Sequence, residues 1–147
     1  MMQNLKIKTI DMDCKTLCGL LVKQKNEAQV CLKDSLPHIL RLSSKKIEAI
    51  ECGFGGFNVN DMMLYLKMCN TCVHLIGWED WMINTVEELR ECFKRERELA
   101  DVSIRQLARS VKVPIVVIEA FEKRDGGLRI DSFLDIAGAL NIEITFD

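Results

Sequence analysis

The residues of this 147-residue chain with the clearest capacity for chemistry are its seven cysteines and two histidines. Cys69-Asn70-Thr71-Cys72 has the spacing of half a zinc site, which Cys14-Lys15-Thr16-Leu17-Cys18 or His74 would have to complete. A redox role for the same pair would want a helix amino terminus to lower a thiol pKa, yet the pair straddles a helix end. No serine or cysteine stands in a nucleophile motif with His38 or His74, so the chain is read as non-enzymatic. Gly53-Phe54-Gly55-Gly56 lacks the lysine and hydroxyl residue of a phosphate loop and leaves a helix instead of opening one; it is a turn.

The elements that would carry these residues emerge from an internal repeat. Shifted by 71 positions, residues 47–76 (IEAIECGFGGFNVNDMMLYLKMCNTCVHLI) coincide with residues 118–147 (IEAFEKRDGGLRIDSFLDIAGALNIEITFD) without a gap. Seven of the thirty pairs are identical, among them Glu51/Glu122, Gly55/Gly126, Gly56/Gly127 and Asn70/Asn141, where average residue usage gives roughly two. Apolar character is shared at Phe57/Leu128, Val59/Ile130, Met62/Phe133, Val73/Ile144 and Leu75/Phe146, and upstream at weaker pairs such as Val22/Phe93. The alignment sets Cys69 over Leu140 and Cys31 over Val102, both core positions, so these thiols are expected to act as small hydrophobes. Neither a metal nor a cofactor is expected.

In the second copy Thr85-Val86-Glu87-Glu88 fits a capping box opening a helix to about Ala100. Ser103 caps a helix over 104–111, a turn follows at Lys112-Val113, and Pro114 begins a third helix to about Lys123. After Asp125-Gly126-Gly127, a fourth helix spans 131–140, Asn141 supplies a left-handed stop, and residues 142–146 alternate as a strand. The first copy follows the same plan: a strand over 5–10, then helices over 14–26, 33–40, 44–52 and 60–69, with Pro37 weakening the second of these. Domains are expected at 1–76 and 77–147, each with a small core, and Trp78 and Trp81 are expected to pack at the joint.

Val102-Ser103-Ile104-Arg105-Gln106-Leu107-Ala108-Arg109-Ser110-Val111-Lys112-Val113 resembles helix two and the turn of the Cro/lambda-repressor family, and Leu42-Ser43-Ser44-Lys45-Lys46-Ile47-Glu48-Ala49-Ile50-Glu51-Cys52-Gly53 resembles its recognition helix. The resemblance implies a mainly α protein of two tandem lambda-repressor-like helix-turn-helix domains with short terminal or edge β-strands. It implies a dimeric, sequence-specific transcriptional regulator that binds double-stranded DNA. Ser44, Lys45, Lys46 and Glu48 then become base-reading candidates, Ser43 at the helix cap joins the DNA-binding set, and Lys33, Arg105 and Lys112 become phosphate-contacting candidates. Ile115, Val116 and Val117 stand where the first copy has Ser44, Lys45 and Lys46. That apolar tip, with Ile142, Ile144 and Phe146 of the last strand, is expected to meet a protein partner or a second copy. A homodimer is expected, with an intramolecular pseudo-dimer as the other arrangement two tandem domains allow. The rival class is an antitoxin-like or regulator-binding module that keeps the fold without reading DNA.

Composition separates these readings only when divided. The net charge of −2 offers no general attraction to nucleic acid. Residues 1–76, however, hold ten Lys/Arg against seven Asp/Glu, and residues 77–147 ten against fifteen, giving +3 and −5. This asymmetry suits one DNA-facing and one protein-facing half. Apolar runs fall far short of the ~20 residues that span a bilayer, and the amino terminus lacks the continuous apolar stretch of a secretory signal, so no membrane partner and a cytoplasmic location are expected.

Overall fold

The computed structural model describes residues 7–8, 14–28, 43–53, 56–123 and 126–146. In chain order its elements are β1 (Ile7–Lys8), α1 (Cys14–Ala28), α2 (Ser44–Cys52), α3 (Val59–Met68), β2 (Val73–Ile76), β3 (Asp80–Ile83), α4 (Val86–Leu99), α5 (Ile104–Val111), α6 (Ile115–Glu122), α7 (Ile130–Ala139) and β4 (Glu143–Phe146). The fold is mainly helical. The helix expected over 33–40, with Lys33 and Pro37, lies outside the described residues, as does Cys31.

Side-chain caps set the helix boundaries where the sequence supplies them. Thr85 and Glu88 form the reciprocal capping box at the start of α4, and Ser103 and Gln106 form one at α5. Asn58 and Asp61 do the same for α3. Ser43 caps α2, which Gly53 ends in the left-handed conformation that glycine adopts without steric cost. Asn70 and Asn141, one repeat apart, are left-handed with φ of 55° and 56° after α3 and α7. Pro114 occupies the N-cap of α6 instead of its first turn.

The strands join the two halves. They form one antiparallel sheet in the order β1-β4-β2-β3, and the central pair aligns Val73 with Phe146, His74 with Thr145 and Leu75 with Ile144. With the repeat of 71 residues, Val73 corresponds to Ile144 and Leu75 to Phe146, so the pairing maps onto itself about an axis between His74 and Thr145. Asn58 and Arg129, also 71 apart, form an isolated bridge that obeys the same relation. There Val59 N donates to Leu128 O at 2.9 Å, and Ile130 N to Phe57 O at 3.1 Å. The repeat is thus an internal pseudo-two-fold, and the outer strands respect it: Ile83 lies opposite Val73 as Ile7 lies opposite Ile144.

Several expectations change. The halves share one apolar core running from Leu17 and Leu21 through Tyr65 and Leu75 to Phe93, Phe133 and Ile144, instead of two small ones. β4 is an inner strand paired on both sides, not an edge, and Ile142, Ile144 and Phe146 are buried in that core; they are withdrawn as a partner surface. Val22 is only half buried, whereas Leu17 and Leu21 match Leu89 and Phe93, so the first helix corresponds at a shift of 72. Trp78 does not pack the joint: it is 70% exposed in the turn between β2 and β3. No helix among the described residues is long and apolar enough to cross a membrane.

Candidate nucleic-acid interface

α5 packs through Leu107 and Ala108 and turns outward Arg105, Gln106, Arg109 and Ser110. It contains no acidic residue, and Arg105, Arg109 and Lys112 form no ion pair among the described residues. Lys112 ends the helix with φ of 57°, its N–H donating to Ala108 O at 3.0 Å, and so turns the chain toward α6. Buried Val113, Ile118 and Phe121 seat α6, leaving Ile115 half buried and Val116 71% exposed at its tip. A capped helix, a left-handed turn and a second helix thus follow one another, and the charged side chains that the first helix exposes are all cations.

α2, which corresponds to α6 at the repeat spacing, presents a polar tip. Ser43 Oγ accepts from Lys46 N at 3.2 Å, leaving the hydroxyl proton to point elsewhere. Lys45 and Glu48 are exposed. Lys46 is not equivalent to Lys45: its Nζ lies 3.2 Å from Asp61 Oδ2 and donates to Gly56 O at 3.2 Å, tying α2 to the capping box of α3. The candidates therefore fall into two groups, Ser43–Glu48 in the first half and Arg105, Lys112, Ile115 and Val116 in the second.

Corresponding carboxylates hold the carboxyl-terminal ends of both helices. Glu51 on α2 receives Lys25 of α1 at 2.6 Å, and Glu122 on α6 receives Arg97 of α4 through two bonds of 2.8 and 2.9 Å. Arg97 also donates to Val102 O at 2.9 Å, linking α4, α6 and the approach to α5. The Glu122 hydrogen bonds hold the Arg97 guanidinium in its charged form, raising its pKa. Buried Arg90 donates to Phe121 O and Gly126 O, both at 2.7 Å, and lies 4.7 Å from the Phe121 ring centroid. Its carbonyl partners close the carboxyl end of α6 and the loop beyond.

These supports are the residues that sequence reasoning missed. The identity Glu51/Glu122 within the repeat was the available signal. Glu96 had none: a fully buried acid on the face of α4 that also buries Leu89, Arg90, Cys92 and Phe93, it accepts from Trp78 N, Glu79 N and the Trp81 indole at 2.6, 3.0 and 3.1 Å.

Apart from Cys52, exposed at the end of α2, the described cysteines lie on other elements. Cys18, Cys69 and Cys92 are buried, and burial pushes the Cys69 thiol up to about 11. Cys14 and Cys18 Sγ atoms lie 3.9 Å apart on α1. Among the described residues no group of three or more His, Cys, Asp or Glu side chains is placed to hold a metal ion. No protein-family model, curated protein or solved structure matches the chain.

Proposed function

We propose that the chain is a sequence-specific DNA-binding protein that regulates transcription. The observation that carries the reading is the α5–turn–α6 unit, whose first helix exposes Arg105 and Arg109, continues to Lys112, and bears no acid. Such a face neutralises phosphates without paying for displaced acidic neighbours. Arg105, Arg109 and Lys112 contact the backbone in this reading, while Ser43 and Lys45 at the start of α2 address base edges, and the Ser44 side chain lies outside what the structure describes. Lys46 holds α2 in place. Selection of duplexes from a random pool followed by a salt-titrated shift assay tests the reading. Enrichment of a defined site, with affinity falling steeply with salt and less steeply for R105A/R109A, supports it; no binding at low salt refutes it.

One observation favours the second reading, a protein-binding module. Val116 is 71% exposed at the tip of α6, and its half of the chain carries −5. On that reading the α6 tip enters an apolar pocket, and the V116D variant loses a protein partner without any change in nucleic-acid affinity.

A further inference from the structure

We infer that one chain carries both halves of a duplex-reading surface, with the α2 and α6 tips engaging two unlike half-sites of a single operator, the α6 side through thymine methyl groups. This rests on the DNA-binding reading above and adds stoichiometry and asymmetry to it.

Geometry supplies the first support. The β2–β4 register and the Asn58–Arg129 bridge define an internal two-fold, and α2 and α6 correspond under the same shift of 71 residues. A two-fold axis places equivalent points at equal height along itself and on opposite sides. The two tips are therefore related by a two-fold, as the recognition helices of a dimer are, and duplex DNA has a dyad of its own. The ion pairs Lys25–Glu51 and Arg97–Glu122 tie the carboxyl-terminal ends of α2 and α6 to their own halves at corresponding positions.

Strand pairing supplies the second support. The pairing of β2 with β4, which joins the two halves about this axis, lies within one chain, with β1 and β3 as the outer strands of the sheet. The contact that would make a dimer is already made within the chain.

Chemistry separates the half-sites. The α2 tip has hydroxyl and ammonium donors, suited to purine acceptors in the major groove. The α6 tip begins with Pro114, which has no N–H, and exposes Val116. An apolar contact flanked by Lys112 and by the acid-free α5 fits a thymine methyl between phosphates better than an apolar protein pocket, which would leave those cations unmatched.

The full-length chain is to be bound to duplexes selected from a random pool, the mass of the complex measured, and each thymine replaced in turn by deoxyuridine, which lacks the methyl group. One chain per duplex is expected, on a site of two dissimilar blocks. In one block, deoxyuridine should weaken binding about fourfold, the worth of one buried methyl group, and V116A should abolish that sensitivity. K45A should disturb only the other block. Two chains per duplex, a symmetric site, or indifference to every thymine methyl overturns the inference while leaving DNA binding intact. Failure to bind any duplex at low salt overturns the DNA-binding reading itself.

Discussion

Replacement of Gly77 by alanine tests how the two halves are joined. Gly77 opens the turn from β2 to β3, where one repeat passes into the next. A Cβ added there would fall on Glu96 Oε1 and lie 2.8 Å from its Cδ. The carboxylate is fully buried and cannot retreat without weakening its bonds to Trp78 N, Glu79 N and Trp81 Nε1. Hydrogen bonds to a charged acceptor contribute about 1.5–3 kcal/mol each, and a buried charge left short of donors costs more. Gly77 is not in the left-handed region, so its backbone accepts alanine, and reduced freedom of the unfolded chain favours the variant by about 0.4–1 kcal/mol. Loss of one or two bonds outweighs that gain, and a net destabilisation of about 2–4 kcal/mol is expected.

Urea unfolding followed by circular dichroism measures it, in a cycle with Glu96→Ala. With the carboxylate removed the added methyl meets nothing charged, so Gly77→Ala should be neutral or slightly stabilising in that background. Because the sheet and core are shared, one cooperative transition should shift as a whole. Equal costs of Gly77→Ala in both backgrounds would refute the contact as the cause.

Other substitutions probe the supports of α2 and α6. Glu122→Gln leaves Arg97 without its carboxylate, and because the two side chains are only 12% and 7% exposed, a loss of about 3 kcal/mol is expected by denaturant titration; Glu51→Gln, at a more exposed pair, should cost less than about 1 kcal/mol. Lys46→Met should likewise cost under about 1 kcal/mol and spare DNA affinity in a shift assay, whereas Lys45→Ala should weaken specific binding about tenfold; the reverse order would remove Lys45 from the reading. The Cys69 thiol titrates near 9 when unperturbed and is pushed up to about 11 by burial. The unfolded chain therefore loses this proton first, and stability present below about pH 9 is lost as pH rises toward 11. Burial of Cys92 and Tyr65 acts in the same direction. A urea midpoint that holds steady or rises from pH 8.5 to 10.5 would contradict this.

Local signals in the sequence carried most of the helices. Thr85-x-x-Glu88 and Ser103-x-x-Gln106 specify reciprocal caps by residue type and spacing alone, and both form. Asn141 was legible because few residues tolerate a left-handed stop. The hairpin of β2 and β3 was not legible: Ile76 breaks the alternation of Val73-His74-Leu75, and β2 is fixed by pairing with β4, a partner some 70 positions away. The same non-local pairing turned residues 142–146 from a presumed edge into the middle of the sheet. At the interface, spacing could nominate Lys45 and Lys46 together but not divide them. The division depends on Asp61 and the Gly56 carbonyl, which the fold brings to only one of the two.

The pseudo-two-fold also explains how related halves can differ so much in charge. A two-fold junction constrains only the groups that meet at it or pack behind it. Glu51 and Glu122 receive a cation from α1 and α4 respectively, Asn70 and Asn141 each turn left-handed, and the apolar pairs of β2 and β4 face one core. Replacing one member of such a pair costs packing or a hydrogen bond on its own side of the axis. Ser43, Lys45, Pro114 and Val116 satisfy no partner across the axis and lie exposed, so exchanging a polar tip for an apolar one costs the scaffold little. The half with +3 and the half with −5 can therefore share a core while presenting different chemistry at equivalent helices. Val116→Lys, which changes only the exposed tip, should leave the urea midpoint unchanged and shift the preferred bases of one half-site from thymine toward guanine; a loss of stability would mean that the tip is part of the scaffold after all.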